Sequence, residues 1–552
     1  MPAAGFSDHI KKIFSFERTF LLIFLIGIFV RFYFLDLKLL HHDEAIHAWF
    51  SYELLTKGAW MYDPSYHGPF LYYVTSGMFA LFGDSDLVAR VLPSLFGTLL
   101  IPLVYYIYRL GYLDRKQALV AALFLAVSPD MVYFSRFLRH DIFMLFFTLL
   151  FLVALLYYFE RGHTRFAVIA SIAAAGGLCC KEEMPVILLI FAAFFIYAIL
   201  RQRFALPPGW KIDLAIALLI VIAIMSVLYS AFGTHISTLV GEEFWLNTTG
   251  WYQAIEHWTA MHNQQRLGGP WFFYIPLFLL YEIPIFILAI IGTIQFLVPG
   301  KSFILKLKRT KNLLVCRTHS LSTTELAEAT IRQLKENNKE YRKSEEFFRF
   351  CIWWMLLSMA FYAYVGEKVP WLLIHQLLPM TFVAVYKLNW QKVAFALAGT
   401  IFLLVMTWHV AFVPVDINEP IVQVQNSEEM REVMNIIDHS EKIVLASKNY
   451  WPLPWYYRGD RWDKITMYGD KTDEATLTGS HPDLIILHDA ESYGSLGGYD
   501  KRTYKLSYWF SYYDNQDRLL EYYLHRDGKM GSINIDLFTR NISYKQKQKP
   551  TL

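Results

Sequence analysis

Apolar runs of membrane-crossing length succeed one another through the first three quarters of the chain and stop near Phe412. A hydrocarbon layer of about 30 Å takes about 20 helical residues to cross. The runs Thr19–Leu35, Arg90–Arg109, Gln117–Phe134, Ile142–Phe159, Phe166–Gly177, Pro185–Leu200, Leu214–Phe232, Trp271–Phe296, Phe350–Val365, Trp371–Tyr386 and Val393–Phe412 meet or approach that length. They predict a mainly α, polytopic membrane protein of about eleven transmembrane helices. Pro69–Phe82 is also apolar, but its ~14 residues are short for a span, so it is expected to lie in the interface or re-enter. From Val415 the pattern turns soluble. A helix signal at Ser427–Ile437 and strand-like runs at Lys442–Ala446 and Asp483–Leu487 predict a small α/β domain over residues 415–552.

Lysine and arginine orient this array, because short cytoplasmic loops are enriched in them. With the N-terminus inside, near Lys11, Lys12 and Arg18, and with Pro69–Phe82 not crossing, the clusters at Arg109, Arg115–Lys116, Arg161, Arg165, Arg201, Arg203, Lys301–Lys343, Lys387 and Lys392 fall inside together. Residues 1–414 then form the membrane domain. Its first outer loop, 36–89, carries juxtamembrane helices. Residues 298–349 are a charged cytoplasmic insertion, helical near Thr324–Lys343, and 415–552 lie outside. The first apolar run lacks a small-residue cleavage site after it and reads as a retained anchor in the plasma membrane.

Composition narrows the class. The 552 residues are 55% hydrophobic and only 18% charged, with a net charge of +3, too small to indicate nucleic-acid binding. Cys179 and Cys180 are adjacent, and Cys316 and Cys351 stand apart, giving neither a disulfide framework nor metal-ligand spacing. What stands out is where the polar residues gather. His41-His42-Asp43-Glu44, Tyr66-His67-Gly68-Pro69, Arg136–Asp141, Lys181-Glu182-Glu183 and Glu367-Lys368-Val369-Pro370-Trp371 all fall on the predicted outer face. A solute transporter would place paired charges near the bilayer midplane, in broken helices of two similar halves, and no such repeat is visible. Charges at one interface suit an enzyme whose substrate has a lipid tail in the bilayer and a polar head at its surface. The aromatics Trp245, Trp251, Tyr252 and Trp258 in Gly233–Pro270 read as an interfacial belt.

The motifs His41-His42-Asp43-Glu44-Ala45, Tyr66-His67-Gly68-Pro69-Phe70-Leu71-Tyr72-Tyr73, Arg90-Val91-Leu92-Pro93-Ser94 and Ser135-Arg136-Phe137-Leu138-Arg139-His140-Asp141 resemble, in order and spacing, those of the GT-C superfamily of membrane glycosyltransferases. The similarity is greatest to the protein mannosyltransferase and aminoarabinose transferase branch. Glu367-Lys368-Val369-Pro370-Trp371-Leu372 and Tyr450-Trp451-Pro452-Leu453-Pro454-Trp455-Tyr456 further resemble the prokaryotic flippase activity-associated proteins. The resemblance implies a GT-C bundle that transfers a sugar from a polyprenyl-phosphate-linked donor to an acceptor hydroxyl of a protein, lipid or glycan, on the outer face. Asp43 matches the aspartate taken as general base, and Glu44 the adjacent acidic position. Asp141 matches the acidic residue of the second outer loop.

The departing phosphate needs cations, for which Arg139, Lys181 and Lys368 are the candidates, Arg being suited to a two-pronged grip. Where the aminoarabinose branch has a lysine, this chain has His67. Glu182 beside Lys181 is a further substrate-side candidate or a salt-bridge partner. His41, His42, His67 and His140 with Asp43 and Asp141 raise a divalent-metal reading, yet their spacing matches no compact ligand set, so no metal or other cofactor is expected. The alternative to an enzyme is a non-enzymatic helper of lipid-linked sugar translocation.

Overall fold

The computed structural model describes residues 15–58, 63–232, 257, 259–260, 268–298 and 324–541, with backbone alone over 324–341. The loop aromatics Trp245, Trp251, Tyr252 and Trp258, and residues 299–323 of the charged insertion with Cys316, lie outside the described residues. Every apolar run predicted to span is helical: Phe16–Phe32, Asp86–Arg109, Arg115–Val127 with Pro129–Ser135, His140–Arg161, Thr164–Leu178, Met184–Leu200, Trp210–Tyr229, Tyr274–Tyr281 with Ile283–Leu297, Thr324–Tyr364, Leu373–Ala384 and Trp390–Phe412. Among the described residues, 5 helices are long and apolar enough to cross a membrane, or up to 7 if each bent pair counts as one span.

Two runs expected to be straight are broken, by 54° between Val127 and Pro129 and by 115° between Tyr281 and Ile283. Both breaks put a proline in the first turn of the second helix, where its missing N–H costs nothing. They also meet. The Glu282 carboxylate accepts from Ser128 Oγ at 2.5 Å and from the Asp130 backbone N–H at 3.1 Å, so one break supplies the acceptor for the donors exposed by the other. The sequence marks the bends with Pro129-Asp130 and with Glu282 and Pro284, which apolar length alone does not weigh.

The stretch Pro69–Phe82 forms the helix Phe70–Phe82. At about 1.5 Å per residue its 13 residues span about 20 Å, short of the hydrocarbon thickness. Its start is pinned where the N–H groups of Gly68 and Phe70 donate to Cys180 and Cys179 carbonyls, each at 3.0 Å. Glycine is required there, since a Cβ on residue 68 would fall 2.1 Å from the Cys179 oxygen. Near its end Phe79 stacks on Trp455, with ring centroids 5.5 Å apart. Its far end therefore lies against the C-terminal sheet domain.

That sheet has six strands: β1 (Gln425–Asn426), β2 (Ile443–Ala446), β3 (Ile465–Met467), β4 (Leu484–His488), β5 (Tyr499–Phe510) and β6 (Met530–Arg540), in the order β1-β5-β6-β4-β2-β3. β2 pairs in parallel with β3 and β4, and the remaining pairs are antiparallel. Alternation along β2 and β4 sends Ile443, Leu445, Leu484 and Ile486 toward the helix Met430–Asp438, and Val444, Ile485 and Leu487 to the other face with Leu477. The expected helix and both expected strands are present. β5 and β6, like β1 and β3, are additional, although Tyr504-Lys505-Leu506-Ser507 and Ile533-Asn534-Ile535-Asp536-Leu537 alternate in the sequence.

The sheet is docked on the bundle. Asn426 Nδ2 donates to the Leu40 carbonyl at 2.7 Å, Trp455 Nε1 to Asp86 at 2.7 Å, and Tyr456 Oη both accepts from the Leu40 N–H and donates to Asp86. Buried Glu419 ties Tyr281 and His409 of the bundle to Tyr522 and Arg526 beyond the sheet.

Three of the bundle helices end on cations that are buried or half-buried. The last carbonyls of a helix lack partners and carry the negative end of its dipole, which is costly where water is excluded. Arg136 donates to the carbonyls of Arg31, Tyr33 and Phe34 at the end of Phe16–Phe32. Arg31 in turn caps Arg115–Val127, donating to Leu125 at 2.7 Å and Ala126 at 3.0 Å. Lys38 donates to the Val410 carbonyl in the last turn of Trp390–Phe412. Replacing Arg31 by Leu should cost on the order of 3 kcal/mol by stranding these carbonyls, read as a lower unfolding midpoint in detergent. An unchanged midpoint would show that the cap carries no stability.

Candidate active site

The site is built around the start of the helix His42–Lys57. His41 is its N-cap: His41 Nδ1 accepts from the Asp43 N–H at 3.0 Å, while the Glu44 carboxylate accepts from the His41 N–H at 2.9 Å. This capping box fixes the first turn. Asp43 and Glu44 are thus helical neighbours, not loop residues, and point about 100° apart around the helix axis.

Glu44 faces inward. Its carboxylate takes a two-pronged grip from Arg90 at 2.8 and 2.6 Å and the Leu138 N–H at 2.8 Å, and the residue is 1% exposed. Arg90 also donates to the carbonyls of Leu35, Lys38 and Leu39. The expectation that Glu44 works on substrate is therefore corrected: both carboxylate oxygens are occupied, and its work is to tie the loop before His42–Lys57 to the one before His140–Arg161.

Asp43 faces outward, into a cavity of about 240 Å³ also lined by His42, His47, Tyr66, His67, Arg139, Glu367, Trp371, Gln423 and Val424. Arg139, the N-cap residue of His140–Arg161, lies between two carboxylates. Its Nη1 pairs with Asp43, its Nε donates to Asp141 at 3.0 Å, and its guanidinium stands 3.6 Å over the Trp371 ring. Lys181 Nζ sits 2.8 Å from Asp141 and 3.1 Å from Glu183, and His375 closes on Asp141 at 3.3 Å. A chain of alternating charge therefore runs from the cavity inward: Asp43, Arg139, Asp141, Lys181. Burial alone would raise the Asp43 pKa, but Arg139 and the nearby His41, His42 and His47 hold it well below the ordinary carboxylate range. Burial lowers His41 to about 4, so its ring is neutral while it caps.

The other candidates divide. His67 lines the cavity with its Nδ1 2.9 Å from Glu182, whose carboxyl His67 holds low against the opposing effect of burial. Lys181 and Asp141 are 2% and 1% exposed and stand behind Arg139. Lys368 is not gathered into the cavity. Its ammonium donates to the carbonyls of Tyr362, Ala363 and Val365, capping Thr324–Tyr364. The expectation that it meets phosphate is corrected, because its three donors are already spent on backbone oxygens. Among the described residues, no three His, Cys, Asp or Glu side chains are arranged to hold a metal ion.

Sequence reasoning missed Gln423 and Val424, the strand-entry segment of the C-terminal domain, whose Gln423 carbonyl pairs with His41 Nε2. It also missed His47, one helical turn beyond Asp43, a spacing visible only once a helix start is recognised at His42.

A multi-pass helical bundle with a charged cavity at one membrane face, roofed by a small sheet domain, is the GT-C glycosyltransferase architecture. Residues 66–229 match the dolichyl-phosphate-mannose-protein mannosyltransferase family. The fold matches the crystal structure of ArnT from Cupriavidus metallidurans bound to undecaprenyl phosphate, at 14% identity and a TM-score of 0.55, over 94% of this chain and 97% of that one. A further match is the oligosaccharyltransferase AglB from Archaeoglobus fulgidus, in complex with an inhibitory peptide and a dolichol-phosphate, at 14% identity and a TM-score of 0.46, over 87% of this chain and 70% of that one. No curated protein sequence matches the chain. The family match over residues 66–229 and the fold match both agree with the GT-C resemblance carried by the sequence motifs.

Breaking one partner of the Glu44–Arg90 pair leaves the other charge buried. Glu44→Gln should therefore lower stability by about 3–5 kcal/mol. Thermal unfolding of the purified protein checks it. Full stability with lost donor binding would return Glu44 to the substrate.

Proposed function

We propose that the protein is a membrane glycosyltransferase that moves a sugar from a polyprenyl-phosphate-linked donor to an acceptor hydroxyl, with Asp43 as general base. The observation that carries this reading is the juxtaposition in one cavity of a partly exposed carboxylate and the guanidinium bound to it. The acceptor oxygen attacks the anomeric carbon, the bond from that carbon to the phosphate oxygen breaks, and the acceptor's proton passes to Asp43. Arg139 meets the charge that develops on the leaving phosphate. A guanidinium engaged by phosphate withdraws from Asp43, and the carboxylate's affinity for a proton rises as the donor binds. Lys181 and Asp141 hold Arg139 in place. The presence of undecaprenyl phosphate in the ArnT structure and the dolichyl-phosphate-mannose chemistry named for the family support a lipid-phosphate donor.

We further propose that this face is the outer one of the plasma membrane, with the N-terminus inside, on the Lys and Arg distribution. Single cysteines placed at Arg115 and Ser480 should be labelled from the inner and outer sides respectively. Labelling of position 115 from outside would overturn the orientation.

Asp43→Asn keeps the size of the side chain and removes proton acceptance. Transfer from a labelled polyprenyl-phosphate sugar in reconstituted membranes should fall by about 10²–10⁴-fold with donor binding little changed. Wild-type turnover in this variant would remove the base assignment and favour the non-enzymatic translocation helper. Arg139→Gln should weaken donor use more than Lys181→Gln, because only Arg139 lines the cavity. It should also move the acid limb of kcat/KM upward in pH: without the cation, burial favours the neutral acid of Asp43. An acid limb that stays in place would show that Asp43 is not the titrating base.

A further inference from the structure

The buried polar groups of the cavity wall leave one acceptor without a donor. His47 lies one turn after Asp43 on the helix His42–Lys57, is 4% exposed, and lines the cavity. Its Nδ1 is 2.9 Å from Tyr72 Oη, and Tyr72 Oη donates to the Tyr66 carbonyl at 2.8 Å. A phenol has one proton, and the carbonyl can only accept it. Tyr72 must therefore accept from His47, which places the imidazole proton on Nδ1. Burial, reinforced by Arg139, lowers the His47 pKa to about 3, so the ring carries no second proton. Its Nε2 is then a bare lone pair, and it has no hydrogen-bond partner among the described residues.

The neighbouring rings do not fill this need. His140 packs edge-on against His47 with centroids 5.0 Å apart, but its Nε2 stands 3.0 Å from the Gly68 carbonyl, which only an N–H satisfies. That leaves His140 Nδ1 as a second acceptor rather than a donor. Arg139 is committed to Asp43 and Asp141. A buried acceptor that its surroundings leave unmet carries a desolvation cost that a ligand donor can recover.

We propose that His47 Nε2 accepts a hydrogen bond from a hydroxyl of the transferred sugar, making His47 a sugar-recognition residue held in the accepting tautomer by the Tyr72–Tyr66 relay. This rests on the glycosyltransferase reading above. The acceptor's attacking hydroxyl is matched to Asp43, and the group that then lies beside it, one helical turn along the wall, is the sugar ring at the anomeric carbon. A neutral acceptor suits a hydroxyl there, since it binds the donor proton without adding charge beside the departing phosphate.

Two measurements test it. In liposomes, protein with ¹⁵N-histidine should show the His47 signal, identified by its absence in His47→Gln, with Nε2 unprotonated. Addition of a polyprenyl-phosphate-linked hexose should shift that Nε2 resonance, while polyprenyl phosphate alone should not. A protonated Nε2, or no difference between the two lipids, overturns the proposal whether or not transfer is observed.

The second measurement compares the hexose with its single-deoxy forms. Wild type should lose about 10-fold or more in kcat/KM for one of them. His47→Leu should use that deoxy donor and the parent equally well, and His47→Gln, whose Oε1 replaces Nε2, should regain part of the preference. Equal discrimination in wild type and His47→Leu, or a rise in KM for the acceptor alone, overturns the assignment to the sugar. Absence of any transfer by wild type counts against the glycosyltransferase reading itself and leaves the resonance test to decide the role of His47.

Discussion

Arg139 is the interaction on which the cavity depends. One guanidinium holds Asp43 at the cavity wall and Asp141 at the head of the next membrane helix, with Trp371 beneath it. Unpaired, either carboxylate would be expensive at this depth, and the cation itself more so. Together, and with Lys181 behind, they neutralise one another in an alternating line, so that charges needed at the surface can stand at the edge of an apolar bundle.

The same economy of charge shapes the scaffold. Arg31, Arg136, Arg90, Lys38 and Lys368 direct their donors at backbone carbonyls near helix ends or in the loop before His42–Lys57. Because Arg90 grips both that loop and Glu44, and Asn426 and Tyr456 of the C-terminal domain grip the same loop at Leu40, the turn that presents Asp43 is held from both sides. The sheet domain is accordingly part of the cavity wall, through Gln423 and Val424, and not an appended module.

Much of this was legible in the sequence. Apolar length placed a helix at every run expected to span, short apolar runs located β2 and β4, and the motifs together with the polar loops brought Asp43, His67, Arg139, Asp141, Lys181 and Glu182 to one region, where the structure gathers them. What was not legible has physical causes. Glu44 and Lys368 carry the charge that chemistry needs, and only their partners, Arg90 and the carbonyls of a helix end, reveal that the charge is already used. His47 was invisible because its role follows from a tautomer fixed by Tyr72 and Tyr66, a relation between three residues that no spacing encodes. The bends at Ser128 and Glu282 are marked by Pro129-Asp130 and by Glu282 and Pro284, which apolar length alone does not weigh, and β5 and β6 alternate only over Tyr504–Tyr508 and Ile533–Leu537, within longer polar stretches.

The most direct test is a structure of the protein with polyprenyl phosphate bound. A phosphate oxygen should lie within about 2.7–2.9 Å of the Arg139 guanidinium, in the cavity beside Asp43, with Asp141 still held by Lys181. A phosphate bound elsewhere, with Arg139 still joined to both carboxylates, would contradict the account.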